Sequence, residues 1–436
     1  MSLFGSNSQT PAAVAPPPPD TLEQRYKGLL AAKGKSDANA LTNGLLRTIL
    51  EFSLHESASD IHFDPLEDLI RLRFRVDGDL KDKLTFSKKD FSVTSQLRVM
   101  AGFTPQAATS YSPEDGGFDI NLGKYHARFR VSAFPSVYGD KLVLRVLDVG
   151  PNTLSLDHLG FAPEVLAQLN GAIKSPSGIF FVCGITGGGK TTTLCSILKS
   201  LTNPERNIMT LEDPVEYILP GVIQSKINAK AGFSFADGLR SILRQDPNII
   251  MVGEVRDRET AEIAMRAALT GHLIFTTIHT LSAFGVISRL VDMGIEPFMI
   301  SNATIGALAQ RLVRRACAQC AQPTAPDSQI VDQLLAVLDP DAGAVVRSLL
   351  TSPEKKFVKT IGCPACNGSG YKGRIGLFEL LLLNNGLKAL IDAKARMPEV
   401  RKAAIRTGMR TLLMDGVAKA GAGWTTLEEV LKAVTE

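Results

Sequence analysis

Gly178-Ile-Phe-Phe-Val-Cys-Gly184-Ile-Thr-Gly-Gly-Gly-Lys190-Thr191-Thr-Thr193 is an apolar run that stops at a glycine and resumes on a lysine and three threonines. The spacing is G-x-x-x-x-G-K-[ST], with a strand expected before it and a helix after it. Gly184, Gly187, Gly188 and Gly189 let the backbone curl until successive N–H groups converge where a helix begins, a place that favours an anion. Lys190 adds charge for the outer phosphates of a nucleotide, and the Thr191 hydroxyl is a candidate ligand for Mg²⁺. Ile185, Thr186 and Thr192 complete the expected contact set.

At 436 residues the chain has room for two or three domains with real cores. A net charge of +4 is too small to argue for nucleic acid, though it suits contact with anionic lipid heads. No apolar run reaches the roughly 18 residues that span a bilayer. Met1-Ser-Leu-Phe-Gly-Ser-Asn7 lacks the basic and apolar regions of a signal peptide. These features point to a cytoplasmic protein. Four of the six cysteines form two Cys-x-x-Cys pairs, and Cys183 and Cys195 flank the glycine-rich loop. In a cytosolic chain such pairs favour metal over disulfide.

Residues 1–38 are read as a Pro-rich tail and linker, with a short helix from about Thr21. A first domain over 39–148 opens on a helix carrying Leu41, Leu45, Leu46, Ile49 and Leu50 at helical spacing. In Ile70-Arg-Leu-Arg-Phe-Arg-Val76-Asp-Gly78 apolar residues alternate with arginine, which marks a half-buried strand, and Asp77-Gly78 marks a hairpin. Tyr125–Val131 repeats the pattern, so Arg75 and Arg130 stand in two basic stripes. Such stripes can be solvated faces, but arginine forks also suit phosphate. Residues 149–155 read as a linker.

In the segment 156–312, strands and helices alternate, which predicts a parallel sheet covered on both sides. Asn207–Pro214 is a strand ending in Glu212 and Asp213, with Glu216 close behind. Acids at the carboxyl end of such a strand sit at the ligand edge and can hold Mg²⁺ or water. Arg240 and Arg244 share one helix face. Pro247–Glu254 is a buried strand closed by Glu254, placed to polarise water directly or through Mg²⁺. A further strand runs from His272 to Thr280, and His279, among Thr276, Thr277 and Thr280, stands where a γ-phosphate sensor belongs. Within 313–376, Cys317, Cys320, Cys363 and Cys366 can offer four thiolates to a closed structural Zn²⁺ site, a redox dithiol being the alternative. Residues 327–350 read as a helical insertion, and 377–436 as a C-terminal helical domain.

The motifs Gly184–Thr193, Thr210-Leu-Glu-Asp-Pro-Val-Glu-Tyr217, Leu243–Asp257 and Ala268–Thr280, with the paired cysteines, resemble the secretion-superfamily ATPases. Within them the chain is most similar, over residues 40–436, to the motors that assemble type IV pili and type II secretion pseudopili. The resemblance implies a homohexamer that binds ATP, Mg²⁺ and Zn²⁺ and works in the cytoplasm, peripheral to the inner membrane. Its partners would be an inner-membrane platform protein and associated cytoplasmic assembly proteins. It further implies a PAS-like domain hinged to a RecA-like P-loop domain. An aspartate box would fall on Glu212, Asp213 and Glu216, a Walker B acid on Glu254, and a histidine box on His272 and His279. Nucleotide-contacting arginines would fall on Arg75, Arg130, Arg240 and Arg244. The loop departs from the usual pattern at Ile185, where proline is usual, and at Gly188, where serine is common. Only a short tail precedes residue 40, where many assembly motors carry a further docking domain; the cysteine pairs favour assembly over retraction. A retraction-type or DNA-translocating ATPase, a low-turnover ATP-binding adaptor and a phosphate-loop kinase are the alternatives.

Overall fold

A computed structural model describes residues 21–33, 37–103, 112–122, 125–148, 154–228, 231–337 and 340–435. The expected tail over 1–20 and the core of the expected linker, 149–153, lie outside these residues. The described chain divides into two compact units, one ending at 148 and the other starting at Leu154.

In the first unit, the helix Ala38–His55 starts where the Asp37 carboxylate accepts the Ala40 N–H at 3.2 Å, satisfying one of the orphan donors of a helix start. Its Leu45, Leu46, Ile49 and Leu50 are buried against a six-stranded antiparallel sheet. The strands are β1 (Asp60–Pro65), β2 (Leu69–Val76), β3 (Asp79–Ser87), β4 (Glu114–Leu122), β5 (Tyr125–Ser136) and β6 (Gly139–Asp148), ordered β3-β2-β1-β6-β5-β4. The β2–β3 turn holds Asp77 at φ 51° and Gly78 at φ 95°, the paired positive angles of a tight hairpin. Alternation sends Ile70, Leu72, Phe74, Phe129 and Val131 into the core and leaves the arginines on the other face. There the register places Arg75, Asp60, Arg145 and Arg130 side by side across four strands.

The second unit is built on β7 (Gly178–Cys183), β8 (Ile208–Glu212), β9 (Ile223–Lys226), β10 (Ile249–Val252), β11 (Leu273–Ile278), β12 (Thr304–Ala316) and β15 (Tyr371–Leu382), in the order β15-β12-β7-β11-β10-β8-β9. All neighbours are parallel except β15, which runs antiparallel to β12. β7, β8, β10 and β11 are buried throughout, as a sheet covered on both faces requires. Phe180 and Val182 join Leu194, Ile197 and Leu198 of the helix Lys190–Leu201 in one core. Ile179, Phe181 and Cys183 join Ala264, Met265 and Ala268 of the helix Arg258–Leu269 in the other.

Residues 377–382 differ from the helical expectation: they are the second half of β15, paired residue for residue with β12. Gly376-Leu-Phe-Glu-Leu-Leu-Leu382 is a short, mostly apolar run with Glu379 in its middle, and periodicity does not separate a buried strand from a buried helix in so short a run. β12 likewise runs past the boundary expected at 312, so the main sheet draws on residues from both sides of the thiol-bearing insertion. That insertion holds a ribbon of β13 (Ala321–Pro323) and β14 (Val358–Thr360) and the helices Ser328–Ala336 and Gly343–Thr351. Four helices follow, Asn385–Asp392, Met397–Arg406, Leu412–Ala420 and Leu427–Thr435. On the third, the buried Lys419 pairs with Asp415 and donates to the Gly376 carbonyl at 2.7 Å, while Asp415 accepts the Phe378 N–H at 2.8 Å. Among the described residues no helix is long and apolar enough to cross a membrane.

Candidate functional site

β7, β11, β10 and β8 run in step, with Cys183 opposite Ile278, Thr276 opposite Val252 and Val252 opposite Leu211. Their carboxyl ends therefore bring Gly184, His279, Glu254 and Glu212 to one edge of the sheet, the edge where parallel α/β folds take their ligands. The loop from Gly184 to Gly189 turns with φ of 144° at Gly184, 77° at Gly187 and 87° at Gly189. A Cβ at Gly184 would stand 2.4 Å from the Gln310 carbonyl oxygen, so no other residue fits there. Thr191 sits half-buried in the first turn of the helix that follows.

Lys190 Nζ donates to the carbonyls of Gly184 and Ile185, 2.9 Å each, which folds its ammonium over the loop. Burial pulls its pKa below the usual lysine value, while the charges of Glu254 and Glu216 pull the other way. Gln310 of β12 was not expected. Its Nε2 donates to the Gly188 carbonyl at 2.5 Å and its Oε1 accepts from the Thr193 hydroxyl at 2.8 Å. The signal that could have found it is a glutamine interrupting the apolar stretch Ile305-Gly-Ala-Leu-Ala309.

Glu254 is held by its neighbours. The Gly253 N–H donates to Leu211 at 2.7 Å, and the Gly253 carbonyl accepts the Thr277 hydroxyl at 2.7 Å. Its carboxylate then pairs with Arg256 through Oε1 and lies 3.3 Å from His279 Nε2 through Oε2. Glu212 is only 3% exposed and accepts from Thr210 Oγ1 at 2.6 Å and Gln224 Nε2 at 2.8 Å. Burial raises its pKa above the ordinary carboxylate value, the two hydrogen bonds oppose that, and the Glu216 charge adds to it. Glu216 thus acts electrostatically on both Glu212 and Lys190, whereas Asp213 is exposed and its charge reaches Arg256. Tyr217 places its hydroxyl 3.3 Å from Thr192 Oγ1. His272 lies at the opposite end of β11 from His279, and its Nδ1 is 3.1 Å from the Ala267 carbonyl, so it closes the preceding helix.

The arginines are not gathered at the loop in the same way. Arg240 pairs with Asp237 at 3.3 Å and with Glu259. Arg244 donates to the Arg240 carbonyl at 2.9 Å. It adjoins Gln245 and Asp246, whose carbonyls accept Asn207 Nδ2 at 2.8 and 3.0 Å. Arg244 therefore stands where β8 and β10 begin, across the sheet from the loop. In the first unit Arg75 donates to the Gly78 carbonyl at 2.8 Å and lies 3.7 Å from Asp60, and Arg130 lies 3.7 Å from Asp115.

The four paired cysteines converge. Their sulfurs all lie within 4.8 Å of one another, with Cys317–Cys363 and Cys320–Cys366 at 3.8 Å and Cys363–Cys366 at 3.7 Å. Four sulfurs bonded tetrahedrally to zinc at about 2.3 Å stand about 3.8 Å apart, so the donor set fits Zn²⁺. A disulfide would need about 2.0 Å. The N–H groups of Cys363 and Gly370 point at Cys366 Sγ at 3.1 and 3.2 Å, which suits a thiolate.

The family model described as Type II/IV secretion system protein matches residues 35–432. The chain is 42% identical over 403 residues to the Type II secretion system protein E of Pectobacterium carotovorum subsp. carotovorum, covering 92% of this chain and 77% of that protein. It is 42% identical over 392 residues to the Type IV pilus assembly ATPase PilB of Thermus thermophilus, covering 90% of this chain but only 43% of that longer protein. Among solved structures, the pilus retraction motor PilT with bound ADP superposes with a TM-score of 0.60 at 25% identity, covering 89% of this chain and 96% of that one. The Legionella pneumophila ATPase DotB superposes with a TM-score of 0.66 at 22% identity, covering 89% and 94%, a likeness of fold.

Proposed function

We propose that this chain, which belongs to the type II/IV secretion system protein family, is an ATP-hydrolysing motor. It works as a homohexamer in the cytoplasm against the inner membrane, assembling type IV pilus or type II pseudopilus subunits through a membrane platform protein and its cytoplasmic partners. The observation that carries the reading is the 3.3 Å contact of Glu254 with His279 on the edge that also holds the Lys190 loop.

In this mechanism the loop N–H groups of 185–190 and the Lys190 ammonium bind the phosphates. Glu254 orients the attacking water and takes its proton, and His279 senses the γ-phosphate from beside it. Mg²⁺, when bound, offsets phosphate charge; Thr191, Asp213 and Glu216 would hold it, directly or through water. Glu212, buried and hydrogen-bonded, positions the acids around it. Arg75, Arg130, Arg240 and Arg244 are the candidate phosphate-contacting arginines. Cys317, Cys320, Cys363 and Cys366 would hold Zn²⁺, which would fix the insertion. We read the first unit as PAS-like and the core of the second as RecA-like.

The test is phosphate release by the purified chain with Mg-ATP, with and without its membrane partner. Turnover that requires DNA would move the reading to a translocase. Nucleotide binding without turnover under every condition would move it to an adaptor.

A further inference from the structure

Arg311 follows Gln310 on β12 and has no place in the mechanism above. It is 5% exposed. β12 pairs with β7 as far as Ala309 opposite Cys183, so Arg311 stands level with the loop that β7 feeds. Its Nη1 lies 3.7 Å from where a Cβ on Gly184 would be. Nε and Nη1 are both shielded from water and have no hydrogen-bond partner among the described residues.

Glu379 and, when ionised, Cys183 act on Arg311 through charge, but neither hydrogen-bonds to its Nε or Nη1. Glu379, its diagonal neighbour on β15, turns Oε1 to the Ala283 N–H at 2.8 Å; burial raises its pKa, and the Ala283 hydrogen bond and the charges of Arg401 and Arg311 oppose that. Burial likewise pushes the Cys183 thiol up to about 12, so it is uncharged at neutral pH. Lys190, across the loop, is a second cation that Arg311 repels. A guanidinium does not give up its proton in proteins, and a buried charge without a partner is costly. An aliphatic side chain of similar length would pack there at lower cost. The charge is retained directly behind a loop shaped to take an anion.

We infer that Arg311 is a positioning residue of the nucleotide site, a fixed cation under the phosphate loop, with no hydrogen-bonded partner at Nε or Nη1, whose charge favours the bound phosphate chain. The inference rests on the hydrolase reading and adds to it. Arg311 acts through the loop backbone at Gly184, by Coulomb attraction that survives where water is excluded, and not by displacing Lys190.

The experiment measures equilibrium binding of a fluorescent ATP analogue with Mg²⁺, and the melting temperature of the nucleotide-free protein, for wild type, Arg311→Met and Arg311→Lys. Arg311→Met is expected to weaken binding about tenfold while its nucleotide-free melting temperature holds or rises. Arg311→Lys, which keeps the charge, is expected to bind within about threefold of wild type. Equal binding by wild type and Arg311→Met overturns this inference alone. So does an Arg311→Met protein that fails to fold or melts lower without nucleotide, because the guanidinium is then a structural member. Wild type that binds no nucleotide removes the hydrolase reading and this inference with it.

Discussion

Gln310 grips Gly188 from a strand that is remote in sequence: its Nε2 donates to the glycine carbonyl at 2.5 Å while its Oε1 takes the Thr193 hydroxyl. The curl of the loop is thus set from outside the strand-loop-helix unit. Gln310→Ala leaves two buried partners unpaired, a cost of about 1–3 kcal/mol. The expected outcome is nucleotide affinity reduced about tenfold, read by titration with a fluorescent analogue. Unchanged affinity would show that the loop holds its shape alone.

Glu254→Gln keeps the size of the side chain and one acceptor oxygen but removes the base and the charge that Arg256 pairs with. Hydrolysis should fall by about 10²–10⁴ with nucleotide binding preserved, measured by phosphate release beside equilibrium titration. His279→Ala should reduce turnover less, since it leaves the carboxylate in place.

The four-sulfur cluster predicts about one zinc per chain in the purified protein, measured by elemental analysis. Cys366→Ser should lose that zinc and make 317–370 more sensitive to proteolysis. Retention of a full zinc complement by the variant would dissociate Cys366 from the site.

Lys419→Met breaks a fully buried ion pair and strands Asp415, which should cost about 3–5 kcal/mol in urea unfolding. Lys419→Met combined with Asp415→Leu should recover part of that cost, although the Phe378 N–H then loses its acceptor. Burial lowers the Lys419 pKa and Asp415 opposes it.

Asp64 gives the pH dependence of the first unit. Burial works against its charged form, but Lys141 at 3.1 Å and the Arg73 guanidinium outweigh that and hold its pKa below the ordinary aspartate value. With a depressed folded pKa, the unfolded chain takes up the proton first. This stabilisation is therefore present above about pH 4 and fades as the pH falls. Asp64→Asn should flatten the acid limb of a melting-temperature profile. A limb of unchanged slope would exclude Asp64 as a contributor.

The loop, the strand-end acids and the cysteine convergence were legible because each is written in local spacing: a glycine run before Lys190, a four-residue apolar strand before Glu254, two Cys-x-x-Cys pairs. The half-buried strands of the first unit were legible for the same reason, since arginine alternates with Ile, Leu and Phe. β15 was misread because Leu377–Leu382, apolar but for Glu379 and buried on both faces, carries no clear period. Gln310 breaks an apolar stretch, but nothing in local spacing ties it or Arg311 to the loop, because only the pairing of β12 with β7 brings them there. Pairing between distant strands leaves no spacing signal. The separation of His272 from His279 is a consequence of strand length, which puts them about 20 Å apart along β11.

β15 closes the outer side of β12 only after the whole thiol-bearing insertion has been made. During synthesis, the phosphate loop leaves the ribosome early, yet the strand that braces it exposes a hydrogen-bonding margin until Leu382 emerges. Any stop or frameshift within the insertion would release a chain with its glycine motif whole and a sticky flank uncovered, a product suited to aggregation rather than to work.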